Sequence, residues 1–337
     1  MKAIRLLFIL IAAVLLSSSC DHAKKEKKAK HEQTHFKYDR DWKRYPAIVE
    51  RNTNVDIIAL GDVHGGYERL VNLLATAGLI KPDGQAPPGY SWAGGNLLLV
   101  SVGDLIDKGD QSIEVLDLMM KLQSQAPKDG GDVIITLGNH EVEFLANPDN
   151  KKAREFIDEL HSRGIEPDTM PQGEKPYGEW LMNRPLAARV NDWFFSHAGN
   201  TSGKTIAELA ESFRHDVGQG DWGSDFLIGK DSLLEAEKWW KGEGPATRLL
   251  DDYLRALNVR HIVFGHDPSA FHDKGQIGQE KDGRIFLIDV GMSPAIDYSK
   301  GALLLIDTVD GTVVATTLDA DGTRKEIWRT PTSNMSK

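Results

Sequence analysis

The sequence predicts an α/β fold, a sandwich of two mixed β-sheets flanked by helices. Three observations predict it. Short apolar strands alternate with amphipathic helical stretches through the first half of the chain, as in a parallel sheet built from strand–helix–strand crossovers. The last third turns to consecutive strands, with a hairpin turn at Asp310-Gly311, so antiparallel pairing and a second sheet are expected there. Five apolar strands end in Asp, Asn or His beside a glycine, which gathers polar side chains where open α/β sheets bind ligands.

The chain starts with a charged segment, Met1-Lys2-Ala3-Ile4-Arg5, and an apolar run over residues 6–16. That run is shorter than the about 20 residues needed to span a bilayer and has the form of a secretory leader. Ser17-Ser18-Ser19-Cys20 follows, and Cys20 is the single cysteine, which excludes an intramolecular disulfide and a cysteine-based zinc site. The segment resembles a bacterial lipobox, apart from Ser17 where an aliphatic residue is usual. Residues 1–19 are therefore read as a signal peptide of the lipoprotein type, with a lipid anchor on Cys20; export without a lipid is the alternative. Residues 20–35, rich in lysine and poor in apolar side chains, read as a flexible tether. The folded domain is placed at residues 36–330, with residues 41–46 either a surface arm or the first docked segment.

Within the domain, strand 55–60 runs into Gly61-Asp62-Val63-His64-Gly65, and a helix is expected over residues 67–77, ending at Gly78. A Pro/Gly-rich loop covers 82–95. Strand 96–102 delivers Gly103-Asp104-Leu105-Ile106-Asp107-Lys108-Gly109, and helix 112–122 follows. Strand 133–137 delivers Gly138-Asn139-His140-Glu141. Strand 193–196 ends at His197, and strand 262–264 at Gly265-His266. Residues 145–190 and 200–258 read as helical or loop insertions. Residues 284–290, 302–307 and 312–318 are the closing strands. Gly218-Gln219-Gly220-Asp221-Trp222-Gly223 fits a dinucleotide-binding pattern, but no strand precedes it and no helix clearly follows, so it is assigned to chance.

Composition bounds the function. The net charge of −10 and the absence of a basic stripe outside residues 1–35 argue against nucleic acid as a partner. Each polar strand end has its own local explanation: Asp62 could cap a helix, Asn139 could fill a turn, and His197 or His266 could be a core histidine. Only a common site explains all five, and only metal-ligating residue types are used. Mixed carboxylate, amide and imidazole donors suit Mn, Fe or Zn better than Mg or Ca.

These motifs, in this order, resemble the calcineurin-like metallophosphoesterases, within them the phosphoprotein phosphatase superfamily, and most of all its bacterial Shewanella-like branch. The resemblance runs from about Val55 to about Gly291, and Asn183-Arg184-Pro185 and Trp239-Trp240-Lys241-Gly242 look like further signatures. It implies a four-layer αββα sandwich. It implies that Asp62, His64 and Asp104 hold one divalent or trivalent metal ion, and that Asp104, Asn139, His197 and His266 hold a second, with Asp104 shared. It makes His140 the proton donor to the leaving group, oriented by Asp107, and Lys108, Arg184 and Lys241 the phosphate contacts. Lys108 stands where many relatives have Arg, and Lys241 is read the same way; a lysine gives a point charge without the bidentate fork. The implied activity is hydrolysis of phosphomonoesters, on protein Ser, Thr or Tyr, by in-line attack of a metal-bridging hydroxide. The protein would act outside the cytoplasm, in the periplasm or at the cell surface, lipid-anchored. Two other readings stay open: a phosphoesterase acting on nucleotides or dinucleoside polyphosphates, and a lipid-tethered binding protein with a vestigial metal site.

Overall fold

The structure is a computed structural model that describes residues 37–85, 89–242, 244–271 and 273–331. The leader, the tether and Cys20 lie outside the described residues. Among those described, no helix is long and apolar enough to cross a membrane.

The strands run in the order β1 (Ile48–Arg51), β2 (Ile57–Leu60), β3 (Ile80–Pro82), β4 (Tyr90–Trp92), β5 (Leu98–Ser101) and β6 (Asp132–Ile135). There follow β7 (Ala187–Val190), β8 (Trp193–Ser196), β9 (His261–Phe264), β10 (Gly278–Glu280), β11 (Ile285–Leu287), β12 (Ala302–Val309), β13 (Thr312–Asp319) and β14 (Arg324–Pro331). One sheet has the order β14-β13-β12-β2-β5-β6 and the other β1-β7-β8-β9-β11-β10, with β3 and β4 forming a small separate hairpin. Both large sheets are mixed. In the first, β2, β5 and β6 are parallel and β12–β14 antiparallel. In the second, β7 and β8 form a hairpin among parallel neighbours, and β10 runs antiparallel to β11.

The period-2 alternation of strand side chains sorts the core into layers. Ile57, Ala59, Leu98, Val100 and Ile134 of one sheet meet Ala188, Trp193, Phe195, Val263 and Phe286 of the other in one buried cluster between the sheets. The alternate residues Ile58, Leu60, Leu99, Val133, Ile135, Phe194, Ile262 and Phe264 belong to a second cluster with the helices, among them Tyr67–Thr76, Ser112–Gln125 and Ile206–Gln219. The molecule is thus a four-layer αββα sandwich.

Some local expectations change, and one left open is decided. The C-terminal antiparallel strands do not make the second sheet: β12 pairs with β2, so β12–β14 extend the first. Hairpin signals fix which strands are sequential neighbours but say nothing of where β12 docks. Residues 187–190, assigned to an insertion, form β7. Val190 faces Trp193 across a two-residue turn in which Asn191 has φ 53°, a conformation asparagine tolerates. The segment before β1 is docked: the buried Arg40 guanidinium donates to the carbonyls of Tyr45, Pro46, Met182 and Arg184.

At the strand starts opposite His197 and His266, Trp193 stacks on His261 with ring centroids 4.0 Å apart, and Trp328 from β14 closes edge-on against both. His261 Nδ1 donates to Gly283 O, while its buried Nε2 has no partner. Burial therefore pulls its pKa down to about 4, against the small upward effect of that bond. Unfolded histidine titrates near about 6.5. As pH falls from there to the folded value, the unfolded chain takes up a proton that the native state refuses, and stability is lost. His261→Phe should cost about 1 kcal/mol at pH 7.5 through the lost hydrogen bond. Denaturant unfolding should show that deficit shrinking toward pH 4, because the variant no longer carries the acid-sensitive group. A deficit that widens with acid would contradict this account.

Candidate metal centre

The ends of β2, β5 and β6 from one sheet meet the ends of β8 and β9 from the other. They meet so closely that their glycines are obligatory. A Cβ on Gly138 would lie 2.0 Å from Asp104 Oδ1, and one on Gly265 would lie 2.2 Å from Asp62 Oδ1. The backbones are laced together, with Val63 and His64 N–H donating to Asp104 O and Gly265 N–H to His197 O. Left-handed backbone concentrates here as well: φ is 49° at His64, 53° at Asp104, 66° at Asp107, 58° at Lys108 and 74° at His266. For residues other than glycine each such conformation costs on the order of 1 kcal/mol or more and persists where the surroundings enforce it.

The structure brings all six expected ligands together. Asp104 Oδ2 lies 3.4 Å from His64 Nε2 and 3.4 Å from His197 Nε2, so this carboxylate stands between the two histidines. His64 Nε2 is 3.8 Å from Asp62 Oδ2. His197 Nε2 is 2.8 Å from Asn139 Oδ1 and 3.2 Å from His266 Nδ1. All are buried except His266, which is partly exposed.

The proton positions give the chemistry. His64 Nδ1 faces Ile106 O and His197 Nδ1 faces Val102 O, each at 3.1 Å, so each of these nitrogens carries the proton and Nε2 presents a lone pair. The His197 Nε2 lone pair then faces two acceptors, Asn139 Oδ1 and Asp104 Oδ2, without a proton on Nε2 to share. Such a contact is repulsive unless a cation accepts all three lone pairs. Burial keeps His64 and His197 neutral, with pKa values near 3, and together with Asp289 and Asp104 it raises Asp62 well above the usual carboxylate range. Neutral imidazoles beside crowded, desolvated carboxylates and an amide oxygen fit metal ions of the Mn, Fe or Zn type.

Around this cluster, His140 Nδ1 bonds to Asp107 Oδ2 at 2.8 Å, and Asp107 Oδ1 is buried without a partner. Burial disfavours the His140 imidazolium, yet the Asp104 and Asp107 carboxylates outweigh it and raise its pKa. A nitrogen of His140 also falls within 4.8 Å of donor atoms of His64 and Asp104. Lys108 Nζ is 2.9 Å from His64 Nε2, so this expected phosphate contact is at the cluster. The other two do not join it. Pro185 O accepts from Leu137 N–H, but the Arg184 side chain turns away: its guanidinium donates to Trp180 O and Gln123 Oε1 and lies 4.2 Å from the Trp180 ring centroid. The motif placed the backbone near β6 but did not specify the direction of the side chain. Lys241 is exposed, with its backbone N–H bonded to Lys238 O.

Two further carboxylates support the site. Glu141 accepts from the N–H groups of Gly138, Asp104, Leu105 and Ile106 at 2.7–3.3 Å, tying the loop after β5 to the start of helix Asn139–Ala146. Asp289 stands beside Asp62 and accepts from Gly291 N–H, and burial raises its pKa to about 6. Asp289 was readable as a strand-end carboxylate; Glu141 follows His140 in the motif itself.

The calcineurin-like phosphoesterase family matches residues 55–270. The chain is similar to Shewanella-like protein phosphatase 1 of Plasmodium berghei, 28% identical over 267 residues that cover 73% of this chain and 70% of that one. It is also similar to a symmetrical bis(5'-nucleosyl)-tetraphosphatase of Xylella fastidiosa, 26% identical over 235 residues, 68% of this chain and 71% of that one. Among solved structures, the cold-active protein-tyrosine phosphatase of a psychrophilic Shewanella species shares the fold, with a TM-score of 0.65, 24% identity and 82% of each chain covered.

Glu141→Gln should destabilise the protein by about 3 kcal/mol, because a carboxamide offers one oxygen to four N–H groups and turns its own N–H toward them. Denaturant unfolding measures this, and metal content should fall with it. Unchanged stability would show that the four bonds do not hold the loop.

Proposed function

Given that the chain belongs to the calcineurin-like phosphoesterase family, we propose that this phosphoester hydrolase acts on phosphomonoesters carried by protein side chains, with His140 as proton donor. The observation that carries the reading is the His140–Asp107 pair, 2.8 Å apart and set against the shared Asp104. Asp62, His64 and Asp104 would hold one metal ion and Asp104, Asn139, His197 and His266 a second; when bound, such ions supply Lewis acidity and a water acidified enough to act as nucleophile near neutral pH.

The rest falls to the side chains. Asp107 fixes the imidazole through Nδ1 and keeps it basic enough to hold a proton, which leaves Nε2 to give that proton to the ester oxygen as its bond to phosphorus breaks. Lys108, already in contact with the cluster, offsets charge on the phosphoryl oxygens. The likeness to a protein phosphatase supports a protein substrate, and the likeness to a tetraphosphatase supports dinucleoside polyphosphates as the second reading. The leader-like residues 1–19 and Cys20 support export and a lipid anchor.

The test is bound metal and p-nitrophenyl phosphate turnover, followed by a panel of phosphopeptides and diadenosine tetraphosphate. Asp104→Asn should lose both metal and turnover. His140→Asn should keep its metal and lose about 10²–10⁴-fold in kcat. Lys108→Ala should raise KM and lower kcat at unchanged metal content. Turnover that ignores both Asp104→Asn and His140→Asn would defeat the enzyme reading, and a preference for the dinucleotide would favour the second substrate class.

A further inference from the structure

A hydrogen-bonded pair works only while both halves stay in place, and the halves of the His140–Asp107 pair come from different elements. His140 is the second residue of helix Asn139–Ala146. Asp107 sits in the loop after β5, ahead of helix Ser112–Gln125. Its left-handed backbone, φ 66°, needs a partner to enforce it.

Ser112 supplies that partner. It is buried, and its Oγ accepts from Asp107 N–H at 3.3 Å. Ser112 is also the first residue of its helix, and Gln111 in the N-cap position makes no side-chain capping bond. The cap comes from far along the chain. Glu159 Oε1 accepts from Ser112 N–H at 2.9 Å, and Oε2 accepts from Ile113 N–H at 2.8 Å. Glu159 lies on helix Arg154–Ser162, within the segment that the sequence marks as an insertion. The same helix packs against the other half of the pair. Its Phe156 meets Phe144 of helix Asn139–Ala146 edge-on, with ring centroids 4.9 Å apart, and both rings are fully buried. One helix therefore touches both the element that carries His140 and the element that holds Asp107. A cap serving helix Ser112–Gln125 alone could come from residue 111. Drawn from residue 159, it also joins the two halves.

We propose that Glu159 and Ser112 are positioning residues: helix Arg154–Ser162 clamps the start of helix Ser112–Gln125, so that the Ser112 hydroxyl holds Asp107 against His140. The proposal rests on the reading of His140 as proton donor and adds the residues that aim it. Both side chains act on backbone N–H groups and not on the metal ligands, so loosening them should leave metal content and KM near wild type. The effect should instead follow how much the leaving group needs a proton. Phenolate leaves poorly and needs one as its bond to phosphorus breaks, whereas 2,4-dinitrophenolate leaves without it. A generally damaged fold would slow both esters alike.

The experiment compares purified full-length wild type, Ser112→Ala, Glu159→Ala and the double variant on phenyl phosphate and 2,4-dinitrophenyl phosphate at saturating Mn²⁺. Each single variant should lose about 10–100-fold in kcat with phenyl phosphate, the scale on which a small misplacement acts. With the dinitrophenyl ester each should stay within about 2-fold of wild type. The double variant should lose no more than the larger single loss, because both changes act through one hydroxyl. Equal losses with the two esters, or losses that multiply in the double variant, would overturn the proposal. If thermal unfolding shows that Glu159→Ala has not folded, Glu159→Gln, which keeps one accepting oxygen, takes its place. A second readout uses metal-free protein and needs no turnover. The Nδ1 proton of His140, assigned by its disappearance in His140→Asn, should give a downfield proton resonance in wild type that shifts upfield or is lost to exchange in Ser112→Ala and Glu159→Ala. A resonance unmoved in both would sink the proposal. Wild type that turns over neither ester would refute the phosphatase reading, and this resonance would still decide whether Ser112 and Glu159 hold the pair.

Discussion

Acceptors facing acceptors are the constraint on which the structure depends. His197 Nε2 meets Asn139 Oδ1 and Asp104 Oδ2 in a buried space with its lone pair inward, because the ring proton that could have separated them sits on Nδ1. Val102 O takes the His197 proton, and Ile106 O takes that of His64. Each outward bond therefore does two jobs: it satisfies a buried donor, and it deprives the cluster of a proton. Left alone the arrangement would spread apart. The fold prevents that by anchoring every member to a strand end.

The anchoring has a measurable burden. Five residues other than glycine at the site hold left-handed backbone, at on the order of 1 kcal/mol or more each. A domain has a net stability of only about 5–15 kcal/mol. The offset lies in the layers behind the site. Leu60, Val102, Leu137, Phe195 and Phe264, which lead into the strand tips, are all buried. The Glu141 carboxylate compensates more locally, by taking four N–H groups that the bent loop would otherwise leave unpaired. The strain and the sandwich are parts of one design, since tips drawn from two sheets can converge only if both sheets are rigid.

That division of labour explains what the sequence could reveal. The alternation of glycine with Asp, Asn and His was legible because touching strand tips leave no room for a Cβ, and glycine is the residue that survives. The two-sheet sandwich was legible from periodicity. Docking between distant strands was not: nothing in residues 302–306 says they pair with β2, and β7 was hidden because Arg189 interrupts its apolar run. Arg184 misled because a motif fixes where the backbone passes and leaves the side chain free to choose partners, and Gln123 and Trp180 claim it.

The loss of Arg184 from the cluster changes how a phosphate would be held. Among the described residues, Lys108 is the side-chain cation whose charged group touches a ligand, at 2.9 Å from His64 Nε2. Its backbone is kept in the left-handed region with Ser293 Oγ donating to Lys108 O, so the ammonium starts from a fixed base on a flexible stem. An ammonium has no preferred plane and can trade an imidazole for a phosphoryl oxygen by a small swing, whereas a guanidinium fork would have to match two oxygens at once. Recognition would then fall mainly on any metal ions that the cluster holds, with lysine following the charge as it shifts. A site of this kind would discriminate weakly by phosphate geometry and more by what surrounds the phosphate, which locates specificity in the insertions flanking β7, β8 and β9 and not in the strand tips.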